Sequence, residues 1–134
     1  MRATTLAAGG LACAGAAMTI AAFAGGGSAS DQPPAPATPA RAAADGLHVW
    51  IANGCGGCHT FKAANSDAPI GPDLGRSLRG RDRDYIMRSI VLPNAETTPN
   101  YGSGVMPEDF AQRITPDDLN KLVDFIVAGV ASGG

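Results

Sequence analysis

Apolar positions recur at helical spacing in three stretches of the chain. Leu47, Trp50 and Ile51 share one side of a helix expected from about Gly46 to Asn53, with Asp45 as its N-cap. Ile86, Ile90 and Val91 mark a second helix from about Asp82 to Leu92, capped by Asp82 and stopped by Pro93. Leu119, Leu122, Val123, Ile126 and Val130 form the longest stripe. That helix opens on a capping box: Thr115 is the N-cap, Pro116 takes the first helical position, and Asp118 stands where Glu is usual. Gly129 and Gly133-Gly134 mark its expected end. The intervening segments, 61–77 and 94–110, are punctuated by Pro and Gly and read as loops. No stretch alternates with the period of a strand, and no repeat is visible. The pattern predicts an all-α domain over residues 45–134.

Before that domain the pattern is different. Residues 1–24 carry only Arg2 as a charge, and Leu6, Leu11, Ile20 and Phe23 are spread through an Ala/Gly-rich run. Ala22-Phe23-Ala24 has the small-x-small form of a signal-peptidase site, with Ser28-Ala29-Ser30 a poorer second one. Residues 6–24 are also long enough to serve as a retained membrane anchor, although Ala and Gly contribute little to insertion. The segment is therefore read as a signal peptide or an N-terminal anchor. A lipid on Cys13 is disfavoured because no Leu-rich box precedes it. Residues 25–44 read as a linker, flexible at Gly25-Gly26-Gly27-Ser28 and extended through Pro33, Pro34, Pro36 and Pro39.

Composition narrows the function. The chain has 134 residues, 45% hydrophobic but only 5% aromatic, so a domain of this size is marginal on its own apolar burial. A bound apolar group would supply the missing core. The net charge of -2 gives no reason to expect a nucleic-acid partner. Arg76, Arg79, Arg81, Arg83 and Arg88 alternate with Asp82 and Asp84, which reads first as a solvated mixed-charge face.

The chemistry lies in Cys55-Gly56-Gly57-Cys58-His59. Two thiols three positions apart share one face of a helical turn, and the imidazole follows at once, the pattern of c-type haem attachment. Each sulfur would add across one porphyrin vinyl to give a thioether, with His59 as proximal iron ligand. Gly56 and Gly57 are expected to keep side chains out of the space between turn and macrocycle. A redox dithiol needs no such His, and structural zinc usually wants four ligands, which Cys55, Cys58, His59 and His48 do not offer at finger spacing. His48, just upstream of the turn, reads as a surface histidine. The opposite axial ligand falls to methionine. Met1 and Met18 are in the N-terminal segment, Met87 lies inside a helix as packing, and Met106 sits in a Gly/Pro-rich loop. Met106 is thus the expected second ligand, leaving no open coordination position.

With these residues in place, the stretch from Asp45 to Val130 resembles a class I mono-haem cytochrome c of the bacterial type. The likeness rests on Cys55-Gly56-Gly57-Cys58-His59, Gly71-Pro72-Asp73-Leu74, Gly104-Val105-Met106-Pro107 and the C-terminal helix. It implies a cytochrome c fold of three or more helices around one covalent haem c, the first and last helices crossing. It implies His59 and Met106 as axial ligands and a hydrogen bond from His59 to the carbonyl of Pro72. It implies single-electron transfer in the periplasm, between a redox donor and acceptor such as a dehydrogenase or oxidase. The alternatives are a haem subunit bound permanently to a periplasmic dehydrogenase, and a sensor or peroxidase whose iron can lose Met106. The lysine-rich docking face of mitochondrial cytochromes is missing, since Lys62 and Lys121 are the only lysines.

Overall fold

The computed structural model describes residues 38–133. In chain order its helices are α1 (Pro39–Ala52), α2 (Leu74–Ser77), α3 (Arg83–Val91), α4 (Phe110–Arg113) and α5 (Pro116–Ala131). The expected signal or anchor segment, residues 1–24, and most of the expected linker lie outside the described residues. Among the described residues no helix is long and apolar enough to cross a membrane.

α1 begins well before its expected start. Thr38, not Asp45, is the N-cap, its hydroxyl accepting from the amide of Arg41, and Pro39 is the first helical residue. Pro39 had read as linker punctuation, but at the first helical position its missing N–H and fixed φ cost nothing. The Ala-rich run that follows is intrinsically helical. Residues 39–44 therefore belong to the helix rather than to the linker, and Ala43 packs against the core.

α1 and α5 pack against each other, and a glycine sets how closely they approach. A Cβ at Gly46 would run into the carbonyl of Lys121 and the Cβ of Phe125, so at this point only glycine fits between the helices. Gly129, expected near the end of α5, is buried inside it, because a Cβ there would strike Phe61 and Ala63. The helix continues to Ala131 and is capped by Ser132. At its start Thr115 accepts from the amide of Asp118 at 3.2 Å, as the capping box predicts.

Three of the seven aromatic residues meet where α1 packs on α5. Trp50, Phe61 and Phe125 form a cluster with centroids 5.4 to 6.4 Å apart, including edge-on pairs. Leu122, Val123 and Ile126 complete this side of the core. α3 is tied to α5 by Arg83, whose guanidinium donates to Asp124 and Asn120, both at 2.9 Å. These groups are solvent-exposed, so they orient the helices more than they stabilise them.

A small antiparallel pair, β1 (Thr60–Phe61) with β2 (Ser66–Asp67), was not expected from the sequence. Two residues are too few to show a period of two. The turn between them is a 3-10 segment closed by Asn65 in the left-handed region at φ 51°. Two further helices were not expected, each of a single turn: α2 at the end of the first loop segment and α4 starting at the last residue of the second.

Candidate functional site

The Cys55 turn is shaped by backbone. Residues Cys55–Gly57 form a 3-10 turn after Gly54, and the amides of Cys58 and His59 both point back at the carbonyl of Cys55. The carbonyl of Cys58 in turn accepts from the amide of Gly71 at 2.7 Å. That bond draws the Gly71-Pro72 segment alongside the turn. Pro72 then presents its carbonyl to Nδ1 of His59 at 2.9 Å. A carbonyl can only accept, so Nδ1 carries the proton and Nε2 is left as a lone-pair donor. Gly71 is required by this approach: a Cβ there would lie 2.7 Å from Cε1 of His59 and 2.8 Å from Nδ1. Burial pushes the His59 pKa down, and the bond to Pro72 offsets part of that shift.

Cys55, Cys58, His59, Pro72 and Met106 line one cleft, which encloses about 1220 Å³ of space free of protein atoms, its open mouth included. Leu74, Leu78, Ile86, Ile90, Phe110 and Ile126 supply apolar wall, drawn from four of the five helices. Desolvation raises the pKa of the Cys55 thiol to about 11. Met106 is half-buried and packs against the core; Met87 packs against the core too but does not line the cleft. His48 is exposed on α1 and is not part of the site.

Gly56 serves a different purpose from the one its place in the motif predicts. It does not line the cleft, and a Cβ on it would meet Trp50 Nε1 at 3.1 Å and Ser66 at 3.2 Å. Its glycine serves packing behind the turn. Gly57 faces open space.

Several residues of the site escaped sequence reasoning. Asn94 closes the base of the Met106 loop: its side-chain oxygen accepts from the amide of Gly104 at 2.7 Å, and its NH₂ donates to Glu108. Asn100 and Gly104 adopt positive φ, 73° and 76°, so the loop turns sharply on either side of the span it presents. Ser77 lines the cleft, and its hydroxyl is buried without a hydrogen-bond partner among the described residues. On the rim Glu96 accepts from the Tyr85 hydroxyl at 3.4 Å and pairs with Arg81 at 3.5 Å, while Arg81 lies 4.2 Å over the Tyr85 ring. An Asn before a turn and a Ser on a short helix carry no periodic signal that marks them in sequence.

The cleft is therefore apolar and is lined by two thiols, one imidazole and one thioether. Among the described residues no group of three or more His, Cys, Asp or Glu side chains that could hold a metal ion stands together. The family model for cytochrome c matches residues 43–129, well over half the chain. The chain belongs to the cytochrome c family. The mostly helical fold with α1 packed on α5 is that of a mono-haem c-type cytochrome domain, whose function is haem-based electron transfer. Cys55 and Cys58, at CxxC spacing, are consistent with covalent haem c in this cytochrome. No curated protein and no solved structure matches the chain.

Proposed function

We propose that this cytochrome is a single-electron carrier with His59 and Met106 as axial ligands, exported from the cytoplasm and working between redox proteins at or beyond the inner membrane. Bound through Cys55 and Cys58, the haem supplies a one-electron ferrous/ferric couple. The chain's own residues orient and insulate it. The observation that carries this reading is the His59–Pro72 bond of 2.9 Å, which leaves Nε2 free as a donor in the cleft that Cys55, Cys58 and Met106 also line. A carbonyl partner on the far nitrogen fixes the ring and raises its basicity. Met106 is favoured over Met87 because only Met106 lines the cleft. A soft thioether favours ferrous iron and raises the potential.

The test is a comparison of two variants of the haem-loaded protein. Met106→Ala should lose the sulfur-to-ferric charge-transfer band in the red, bind carbon monoxide when reduced, and show a lower potential. Met87→Leu should keep the wild-type band and potential, a volume-conserving swap in a helix being well tolerated. If Met106→Ala keeps the band, the ligand assignment is wrong. Export is tested separately, by sequencing the N-terminus of the native protein and by washing membranes with carbonate. A haem-free cytoplasmic chain beginning at Met1 would refute it.

A further inference from the structure

Two serines line the cleft, and their hydroxyls differ. Ser89, on α3, donates to the carbonyl of Tyr85 at 2.8 Å, one turn back. Ser77, at the end of α2, has no hydrogen-bond partner among the described residues, and its hydroxyl oxygen is buried. The surroundings are apolar: Leu74 and Leu78, three residues before it and one after, are buried and line the same cleft. α2 is also held in place. Asp73 caps it by accepting from the amide of Arg76 at 3.3 Å, Leu74 and Gly75 are buried, and the helix packs against α5.

A buried hydroxyl without a partner costs stability that an alanine would not, so stability does not account for serine here. Bound haem does not repair the loss. Its ring nitrogens face the iron, so its free acceptors are its carboxylates, and an oxygen with almost no open surface is out of their reach. Such a hydroxyl keeps a dipole that is free to turn about its C–O bond. In an apolar wall a dipole acts on nearby charge with little screening. The haem core is more positive when ferric than when ferrous, so the hydroxyl turns its oxygen toward the iron and favours the ferric state. We propose that Ser77 lowers the reduction potential of this cytochrome, acting as a reorientable dipole in the wall of the haem cleft. It acts through space and bonds neither haem nor an axial ligand. The proposal rests on the electron-carrier reading above and adds a residue that sets the driving force of the transfer.

The test compares Ser77→Ala, Ser77→Thr and Ser77→Val in the haem-loaded protein. Thr and Val have nearly the same shape, so the difference between them isolates the hydroxyl from packing. Each variant is equilibrated with a redox dye of known potential, and the ratio of ferrous to ferric protein is read from the visible spectrum. Ser77→Ala should raise that ratio about threefold over wild type, a rise of about 30 mV at about 59 mV per tenfold. Ser77→Val should stand above Ser77→Thr by about the same factor. Ser77→Ala should also be no less stable than wild type in thermal unfolding. A ratio that falls in Ser77→Ala, together with a loss of stability, would mean that the hydroxyl donates to a haem carboxylate and softens its negative charge, and would overturn the proposal. A rise in Ser77→Ala with no difference between Val and Thr would assign the effect to packing and overturn it too. So would ratios unchanged in all three variants of a protein whose one-electron couple is reversible; the electron-carrier reading would then stand. A protein with no reversible one-electron couple would overturn both.

Discussion

Replacing Gly71 by Ala puts one methyl group against the ring of His59. The added carbon would sit 2.7 Å from Cε1 and 2.8 Å from Nδ1, whereas ordinary contact begins at 3.4 Å, so ring or backbone must yield by roughly 0.7 Å. The ring has little room to retreat. Nδ1 is tied to Pro72 at 2.9 Å, and Trp50 lies behind it with centroids 6.5 Å apart. Nor can the backbone lift away freely, because the Gly71 amide is bonded to Cys58 at 2.7 Å. Overpacking at such a point costs about 1–3 kcal/mol. Stretching or losing the Pro72 bond adds about 0.5–1.5 kcal/mol. The expected loss is therefore about 1.5–4.5 kcal/mol, a large part of a total stability of about 5–15 kcal/mol. Urea unfolding of the haem-loaded protein measures it. The reduction potential should also rise, since an imidazole without its carbonyl partner is the weaker donor to ferric iron. Gly57→Ala is the control: nothing lies within 4 Å of that Cβ, and its effect should stay within about 0.5 kcal/mol. If Gly71→Ala is as mild as the control and leaves the potential unchanged, the close approach of this segment does not hold the ring.

Three further outcomes are expected. Asn94→Ala removes both side-chain bonds at the base of the Met106 loop, so the red absorption band should disappear at a denaturant concentration below that of global unfolding; coincident transitions would refute the role of Asn94. Ser77→Ala deletes a buried hydroxyl without a partner and should be neutral or stabilising by up to about 1–3 kcal/mol in thermal unfolding; a loss of more than about 1 kcal/mol would show that the hydroxyl is bonded in the haem-loaded protein. The Asp118 carboxyl is held below its ordinary 3.8 by the Lys121 ammonium and then by the Thr115 hydroxyl, so its folded pKa is depressed. Its contribution is present above the unfolded pKa and is lost as pH falls through the folded value. Unfolding midpoints of wild type and Asp118→Asn, compared from about pH 6 down to about pH 2, should therefore converge at the acid end; a constant difference would refute the linkage.

The chemistry of this cytochrome was legible in its sequence because it is local. Cys55, Cys58 and His59 are adjacent, and a 3-10 turn suffices to put them on one cleft. The amphipathic stripes of α3 and α5 were legible because burial on one side of a helix leaves a periodic trace. Thr115 and Asp82 announced where those helices begin, since a cap is a contact within one turn. What the sequence did not disclose are properties of contacts made across the chain. The start of α1 at Pro39 was hidden because proline reads as a breaker until its place at the first turn is known. Gly46, Gly56 and Gly129 are glycines for packing, and the side chains they admit, Phe125, Trp50 and Phe61, stand on other elements. The grip of Asn94 on Gly104 spans ten residues, and the cleft brings together Pro72 and Met106, thirty-four residues apart. Only the closing of α1 against α5 brings such groups within reach, because the free energy that holds them together comes from burial shared by the whole core rather than from any one segment.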